Sequence, residues 1–386
     1  MPLKFARKSI AHESFESAGV WDVDGDGVLD IVSGAYWYQG PDFVKRHPIG
    51  EVKRFGEYYD DFSTIPLQIG TSGRTDFVTG GWWGGTLRWR ENPGQSGKEW
   101  QEHVIAQVGN VETTRAWDVD GDGELEIVPN TPGHDLAYYK VVRDAKGVGT
   151  GTFTRHLVRA GAQGHGLGFG DLLGDGRGCF IVRDGWIEPP APGKTEWIHH
   201  PAFDLGSASV PVIVADVNGD GIPDLIAGNA HGYGLWWWEQ KIVGGKRTFT
   251  RHAIDPDNSQ YHDMQWVDID GDGKNELVTG KRFRAHCDND DGAHDDVGIY
   301  YFKWNGESFT KQIIAYGPYA GGGFGGAGKG CGIHFAVADL TGSGRLDIIA
   351  PGKDGLAVFT NLGMTGQAAA PVKPAAPPAK AASARA

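Results

Sequence analysis

One pattern of apolar and polar positions recurs along the chain. A short segment of alternating residues leads into a loop rich in acidic residues and glycine, and an aliphatic segment that ends in glycine follows. Residues 21–34 are the clearest copy. Alternation and short aliphatic runs bounded by turn residues are typical of β-strands. Each copy therefore predicts two adjacent strands joined by an acidic loop.

The copies return at intervals typical of one propeller blade. Their loops begin at Asp22, Gln68, Asp118, Asp171, Asp216, Asp268 and Asp339, the second of them degenerate. The starts lie 45 to 71 residues apart. A four-stranded blade needs roughly 40–50 residues. The spacing predicts an all-β fold, a seven-bladed β-propeller.

A second repeat predicts the outer strand of each blade. It consists of an aromatic residue, two further residues, a histidine and an aliphatic residue, as at Trp100 to His103 and Phe249 to His252. The last acidic loop has no such segment after it, whereas residues 5–10 precede the first loop without a blade of their own. We therefore expect the N-terminal strand to complete the last blade, which removes an open sheet edge.

Composition agrees with this fold and marks a boundary near the C-terminus. The chain has 61 glycines, 14 Trp, 12 Tyr and 17 Phe but only 3 Met, which favours tight turns and short strands over helices. Residues 364–386 are rich in Ala and Pro and hold too little apolar surface to pack. We expect a propeller over residues 1–363 and a disordered tail over residues 364–386.

Charge and cysteine content exclude several classes of partner. With 36 basic and 49 acidic residues the net charge is −13, so a nucleic-acid partner is not expected. Three scattered cysteines predict no disulfide framework. No apolar run approaches the roughly 20 residues of a membrane span. No signal segment is visible either, so the default location is cytoplasmic, unless the N-terminus is processed or engineered. The oligomeric state is not indicated.

Four of the acidic loops keep the pattern D-x-D-G-D-G-x-x-D, with Asn or Glu at some positions. Oxygen ligands at its positions 1, 3, 5 and 9 can surround a hard cation, and glycine allows the sharp turn. These residues are Asp22, Asp24, Asp26, Asp30; Asp118, Asp120, Asp122, Glu126; Asp216, Asn218, Asp220, Asp224; and Asp268, Asp270, Asp272, Glu276. The pattern predicts structural Ca²⁺ or Mg²⁺ sites. The alternative is that these residues only form turns.

The loops resemble those of the FG-GAP or VCBS repeat family, and the resemblance covers residues 5 to about 363. Within that family, residues 164–171, 229–235, 260–263 and 280–286 resemble the propeller domain of the aldos-2-ulose dehydratases, also called 1,5-anhydrofructose dehydratases. This resemblance implies a sugar dehydratase with a metal-assisted site at the mouth of the central channel. The chain lacks the cupin domains of the fungal enzymes, so an isomerase step assigned to those domains is not expected.

In a propeller, side chains that serve the architecture recur in every blade, whereas those of a single central site do not. The outer-strand histidines recur and are assigned a structural role. Five others do not recur and are expected at the channel end opposite the acidic loops: His165, His231, His262, His286 and His334. The alternative is that they are solvated loop imidazoles. His231, His286 and His334 are candidate ligands of a catalytic Zn²⁺ or similar ion, although no local motif marks them.

These residues favour a carbon–oxygen lyase acting on a keto-sugar or sugar derivative. His262 is the candidate base, with Tyr261 or His165 as the acid. Arg115, Arg282 and Lys353 are candidates for stabilising enolate charge. The sugar itself is expected to contact Trp37, Trp82, Trp83, Trp186 and Asp263, because sugar C–H faces pack on aromatic rings.

Other functions remain open at this point. A polysaccharide lyase acting on uronates needs the same types of residue, and a lectin-like propeller would bind sugar without reacting. A glycosidase would use two carboxylates among Glu112, Asp61 and Asp263. A protein-interaction scaffold is possible on fold grounds alone. The glycine run at residues 317–330 is expected to be a mobile lid or long loop at the pocket mouth.

Overall fold

The repeated pattern of the sequence folds into seven antiparallel four-stranded sheets, arranged as the blades of a β-propeller. The computed structural model describes residues 2–95, 97–319 and 328–364. The expected tail, apart from residue 364, and residues 320–327 of the glycine run lie outside this part of the chain. In the described part, no helix is long and apolar enough to span a membrane. The predicted fold class is confirmed.

Blades 1 to 3 each run from the channel outward along the chain. Blade 1 contains β2 (Gly19–Trp21), β3 (Asp30–Ser33), β4 (Tyr36–Tyr38) and β5 (Arg46–Pro48). A separate hairpin, β6 (Arg54–Phe55) and β7 (Tyr58–Tyr59), follows. Blade 2 contains β8 (Ile65–Leu67), β9 (Asp76–Gly80), β10 (Thr86–Glu91) and β11 (Gln101–Gln107). Blade 3 contains β12 (Thr113–Trp117), β13 (Glu126–Asn130), β14 (Leu136–Arg143) and β15 (Gly149–Arg159).

Blades 4 to 6 repeat this order. Blade 4 contains β16 (Gly168–Gly170), β17 (Cys179–Val182), β18 (Gly185–Glu188) and β19 (Ile198–Pro201). Blade 5 contains β20 (Ile213–Ala215), β21 (Asp224–Gly228), β22 (Tyr233–Val243) and β23 (Lys246–Ser259). Blade 6 contains β24 (Tyr261–Val267), β25 (Glu276–Lys281), β26 (Val297–Trp304) and β27 (Phe309–Gly317), with a short left-handed turn at Ala285–Asp288 between β25 and β26.

Blade 7 combines the two ends of the described chain. Its strands are β28 (Ala336–Ala338), β29 (Asp347–Ala350), β30 (Leu356–Met364) and the N-terminal β1 (Leu3–Ala11). The strand β1 pairs antiparallel with β30, with Phe5 opposite Asn361 and Ser9 opposite Ala357. The predicted closure by the N-terminal strand is confirmed.

Removing residues 2–10 should expose the edge of β30 and cause aggregation or a large loss of stability, because an unpaired strand edge is a template for pairing with other chains. Truncation after residue 367 is the matched control and should change little, since the removed segment is too poor in apolar residues to pack. Melting curves and light scattering of both truncations measure this. Equal tolerance of the two truncations would contradict the closing role of β1.

The core lies between neighbouring blades rather than within one of them. One cluster joins Val128 and Tyr138 of blade 3 to Phe180 and Ile187 of blade 4, and the other interfaces are built in the same way. The innermost strands approach closely. A Cβ atom added at Gly168 would lie 2.3 Å from the carbonyl oxygen of Val212. Glycine at this position permits the packing of blade 4 against blade 5.

The outer-strand histidines stack on aromatic residues of the third strand in five blades. The rings of Trp37 and His47 have centroids 4.1 Å apart, and those of Trp237 and His252 lie 4.6 Å apart. The remaining pairs are Trp89 with His103, Tyr138 with His156, and Trp186 with His200. Each pair joins adjacent strands of one blade, so these histidines have the same architectural contact throughout.

Candidate active site at the channel mouth

Four consecutive blades each contribute one side chain to a single cluster. Glu112 precedes β12, His165 precedes β16, His231 lies between β21 and β22, and His262 is the second residue of β24. Their ligand atoms all lie within 4.8 Å of one another. We call these four residues the His₃Glu cluster. It lies at the channel end opposite the acidic loops, because it precedes the first strand of a blade or follows the second.

The tautomers of two histidines follow from their hydrogen-bond partners. The Nδ1 atom of His165 lies 2.8 Å from the carbonyl oxygen of Ala208, and that of His231 lies 3.1 Å from Asp290 Oδ2. Since both partners only accept, each Nδ1 carries the proton. The two Nε2 atoms face each other at 2.8 Å. Two bare lone pairs repel at this distance, so a proton or a metal cation is required between them.

Charge in the cluster is set by Glu112. Its Oε1 lies 2.8 Å from His262 Nε2 and 3.3 Å from His165 Nε2. Burial raises the pKa of Glu112, but the charge of His165 and the hydrogen bonds from His165 and His262 outweigh it and hold that pKa well below its usual range. Glu112 is therefore a carboxylate.

The three imidazoles respond differently to burial. Burial lowers the pKa of His262 well below its usual value and that of His231 to about 4. For His165, burial acts in the same direction, but Glu112 more than compensates and raises its pKa. In the absence of a metal ion, His165 therefore carries the additional proton, while His231 and His262 are neutral.

The donor set fits a zinc-like ion. Three imidazole nitrogens and one carboxylate oxygen are ligands that Zn²⁺ prefers. The bonds from Nδ1 of His165 and His231 to Ala208 and Asp290 are the outer contacts that usually orient metal-binding histidines. Of the three histidines predicted to bind a catalytic ion, only His231 belongs to this cluster.

His286 lies beside the cluster, whereas His334 lies elsewhere. The ring of His286 stacks on His231 at a centroid distance of 4.3 Å, and its Nδ1 lies 2.8 Å from Asp290 Oδ1. The Nδ1 atom of His334 instead accepts a hydrogen bond from the backbone N–H of Thr64. Its ring lines the central channel, a cavity of about 520 Å³. The structure does not bring His334 to the other two predicted ligands.

Arg115 and Asp263 form an ion pair in the channel, below the cluster. Arg115 Nη2 lies 2.6 Å from Asp263 Oδ1, and both side chains are buried. They lie on β12 and β24, which also begin at the cluster. Asp263 further accepts the backbone N–H of Phe335, so the pair ties blades 3, 6 and 7 together. These contacts indicate a structural role for both residues, and neither side chain is open to a sugar.

Two buried cations lie on one side of the cluster. Arg282 Nη1 lies 3.9 Å from Glu112 Oε1, while its Nε donates to Glu16 Oε1 at 2.8 Å. Lys353 Nζ lies 3.9 Å from Glu16 Oε2 and 3.5 Å from the centroid of the Tyr58 ring. Each cation is paired with Glu16, and positive charge is therefore held next to Glu112.

Aromatic side chains continue from these cations to the surface. Arg282 lies 5.6 Å from the ring centroid of Phe62, whose neighbours are Tyr58 and Trp83. Trp83 in turn stacks on Phe55 of the β6–β7 hairpin at 5.3 Å. Trp83 is 40% exposed and Phe55 is 37% exposed. These residues form what we call the aromatic wall, and Trp82 packs against its buried part.

Three other predicted site residues lie away from the cluster. Trp37 and Trp186 are the buried third-strand partners of His47 and His200. Tyr261 is fully buried and donates its hydroxyl hydrogen to Asp255 Oδ2 at 2.6 Å. Their stacking and hydrogen-bond contacts are made within a blade or between neighbouring blades.

Sequence reasoning missed Glu16, Tyr58 and Asp290 and gave Glu112 no role as a ligand. Glu16 and Glu112 both precede the first strand of a blade, so comparing the corresponding segments of all blades would have singled them out. Asp290 belongs to the acidic run 288–296, which carries no recognisable motif. Tyr58 has no signal apart from its position in the hairpin insertion.

Backbone strain is concentrated beside the cluster. Arg284, His286, Cys287 and Asp288 all have positive φ, at 55°, 45°, 53° and 67°. Such conformations cost energy for residues other than glycine and persist where neighbouring contacts impose them. Here Arg284 pairs with Glu57 and with Asp288, which holds the segment against the hairpin. In this conformation His286 and Asp290 both contact His231.

Comparison with known proteins supports the repeat and the fold. Residues 196–279, which span blade 5 and parts of its neighbours, match the family described as FG-GAP-like repeat. No curated protein sequence matches the chain. The expected resemblance to the aldos-2-ulose dehydratases stays a prediction.

Solved structures of similar shape differ strongly in sequence. BBS1N, in a complex with ARL6DN soaked with lead, aligns at a TM-score of 0.54 with 10% identity, over 95% of this chain and 98% of that chain. Rhamnogalacturonan lyase YesW aligns at a TM-score of 0.46 with 13% identity, over 95% of this chain and 76% of that chain. At such identities the likeness concerns the fold alone.

Proposed function

We propose that the protein is a carbohydrate lyase that eliminates water from a keto-sugar at the His₃Glu cluster. The observation that carries this proposal is the 2.8 Å approach of the two Nε2 atoms of His165 and His231, both left bare by their Nδ1 bonds. Four blades build a centre that requires a proton or a metal cation between two imidazoles, next to an ionised carboxylate. A binding site for neutral sugar alone has no need of it.

A divalent ion such as Zn²⁺, held by Glu112, His165, His231 and His262, would polarise a sugar carbonyl when bound. The chain adds its own positive charge on one side of this position. Arg282 lies 3.9 Å from Glu112, and Lys353 lies beyond it against Tyr58. Both cations favour the enolate that forms when the proton next to the carbonyl is removed.

His286 is the group best placed to move that proton. Its Nδ1–H donates to Asp290 Oδ1, which leaves Nε2 as a bare acceptor, and 53% of its side chain is exposed at the mouth. His262, by contrast, is fully buried with Nε2 on Glu112. We therefore assign the base role to His286. Once protonated, His286 returns the proton to the departing hydroxyl group, which leaves as water while the carbon–carbon double bond forms.

A uronate polysaccharide lyase remains the second candidate, and the aromatic wall favours it. The wall continues from Arg282 through Phe62 to the half-exposed Trp83 and Phe55. Sugar rings pack on such faces. Its length offers a place for a sugar unit beyond the one at the cluster.

Incubation with a panel of keto-sugars and uronate polymers tests this function. We expect a conjugated enone absorbance with at least one keto-sugar, and we expect none from the His286→Ala variant, whose stability should be unchanged because the side chain is exposed. Product from uronate polymers alone would replace the keto-sugar proposal by the second candidate. Binding of sugars without any new absorbance would indicate a lectin instead.

A further inference from the structure

A lysine occupies the centre of two of the four acidic loops. In blade 3 it is Lys140 of β14, and in blade 6 it is Lys303 of β26. The strand pairing shows that the two positions correspond. The first residue after each loop, Ile127 or Leu277, pairs with Tyr139 or Phe302 on the third strand. In both blades the lysine is the next residue along that third strand. The corresponding residues in blades 1 and 5 are Gln39 and Glu239, because Ile31 pairs with Tyr38 and Leu225 with Trp238.

Each ammonium group meets the same three loop positions. Lys140 Nζ lies 2.5 Å from Asp120 Oδ2, 2.6 Å from Asp122 Oδ2 and 3.3 Å from Glu126 Oε1. Lys303 contacts Asp270, and its Nζ lies 2.7 Å from Asp272 Oδ2 and 3.2 Å from Glu276 Oε1. In each loop the ammonium group donates hydrogen bonds to the carboxylates at positions 3 and 5 and forms an ion pair with the glutamate at position 9.

The ninth loop residue differs between the two kinds of loop. In blades 1 and 5 it is aspartate, and both its oxygens accept backbone N–H groups: Asp30 from Val23 and Gly40, and Asp224 from Val217 and Gln240. In blades 3 and 6 it is glutamate, and only Oε2 binds backbone, at Val119 and Ile269. The Oε1 atoms of Glu126 and Glu276 are buried without a hydrogen-bond partner. The lysine is the cation that compensates each of them.

We propose that Lys140 and Lys303 act as built-in counter-cations that replace a divalent ion in the acidic loops of blades 3 and 6. A divalent ion at the same oxygens would have to displace the ammonium group, because two cations within a few ångströms repel strongly in a partly buried site. The four ion sites expected from sequence are thereby reduced to the loops of blades 1 and 5. This inference does not depend on the function proposed above.

Removing each lysine tests the proposal, with Ca²⁺ as the probe. In Lys140→Met and in Lys303→Met the side chain keeps its length and loses its charge. Equilibrium dialysis against Ca²⁺ with metal analysis should then find about one more ion per chain than in the wild type, and Ca²⁺ should raise the melting temperature of the variant. Lys246→Met, on the exposed outer strand of blade 5, is the control and should gain none. An unchanged Ca²⁺ content in both variants would overturn the proposal.

A second measurement leaves both lysines unchanged and replaces a loop carboxylate instead. It tests the proposal even if the lysine variants fail to fold. Position 5 of each loop is replaced in turn, as Asp26→Ala, Asp122→Ala, Asp220→Ala and Asp272→Ala. Bound Ca²⁺ should be the same in Asp122→Ala and Asp272→Ala as in the wild type. The loss of an ion from either of these two variants would show that the wild-type loop holds Ca²⁺ despite its lysine, and would overturn the proposal.

Discussion

Replacing His165 by Ala should lower the proposed turnover of a keto-sugar at least about 100-fold, the scale of losing a group that acts directly in acid–base or metal-assisted chemistry. The side chain has 16% of its surface exposed and is bound by Ala208, His231 and Glu112, so its removal disrupts the cluster rather than a blade core. We expect only a small change in melting temperature. Steady-state kinetics and thermal melting of the same preparation check both statements.

The control is a histidine that recurs in the blades. His252 stacks on Trp237 at 4.6 Å and pairs with Glu239, and these contacts within the described residues do not involve the cluster. His252→Ala should therefore lose stability while turnover per folded molecule is retained. Near wild-type turnover in His165→Ala would remove the cluster from the mechanism, whatever the control shows.

Replacing Asp263 by Ala should cost about 3–5 kcal/mol of unfolding free energy, the usual scale for removing one partner of a buried ion pair. The substitution leaves the guanidinium of Arg115 buried without its counter-charge, although Val210 still accepts one of its N–H groups. It also leaves the backbone N–H of Phe335 without an acceptor. Denaturant unfolding at neutral pH measures the loss.

Asp135→Ala is the matched control for this prediction. Asp135 pairs with Arg155 at 2.8 Å, but both side chains are 44% exposed, so water replaces the lost partner. We expect no measurable change. If Asp263→Ala were tolerated as well as Asp135→Ala, the ion pair would not be what holds blades 3, 6 and 7 around the channel.

The fold could be predicted because the repeated blades of a propeller appear as repeats in the sequence. The acidic loops return once per blade, and residues 5–10 were the one strand without a blade. Strand order and blade number follow from such spacing without knowledge of any side-chain contact. The prediction therefore held at the level of backbone topology.

The same symmetry predicted at which end of the channel the candidate site lies. It did not predict which residues form the site. That His165, His231 and His262 lie within one cluster agrees with their absence from the repeat. Whether a given imidazole joins them depends on its rotamer and its backbone partners. His334, for example, does not join the cluster, and its Nδ1 accepts a hydrogen bond from the backbone N–H of Thr64.

The symmetry also distinguishes residues that serve the architecture of the blades. Trp37 and Trp186 occupy the recurring third-strand position that stacks on the outer histidine, which by the same reasoning indicates architecture. Lys140 and Lys303 are visible only when the third strands are aligned with the loops they cover. The pairing of Glu16 with Arg282, which are 266 residues apart, has no local signal in the sequence.

The zinc content of the protein shows directly whether the His₃Glu cluster is a cation site. Wild-type protein and the variants His165→Ala, His231→Ala and His334→Ala are dialysed against equal low concentrations of Zn²⁺ and analysed for bound metal. The expected result is that His165→Ala and His231→Ala each lose about one tightly bound ion per chain while His334→Ala retains it, because the cluster supplies the ligands and His334 does not. Equal zinc content in the wild type and in His165→Ala and His231→Ala would contradict it.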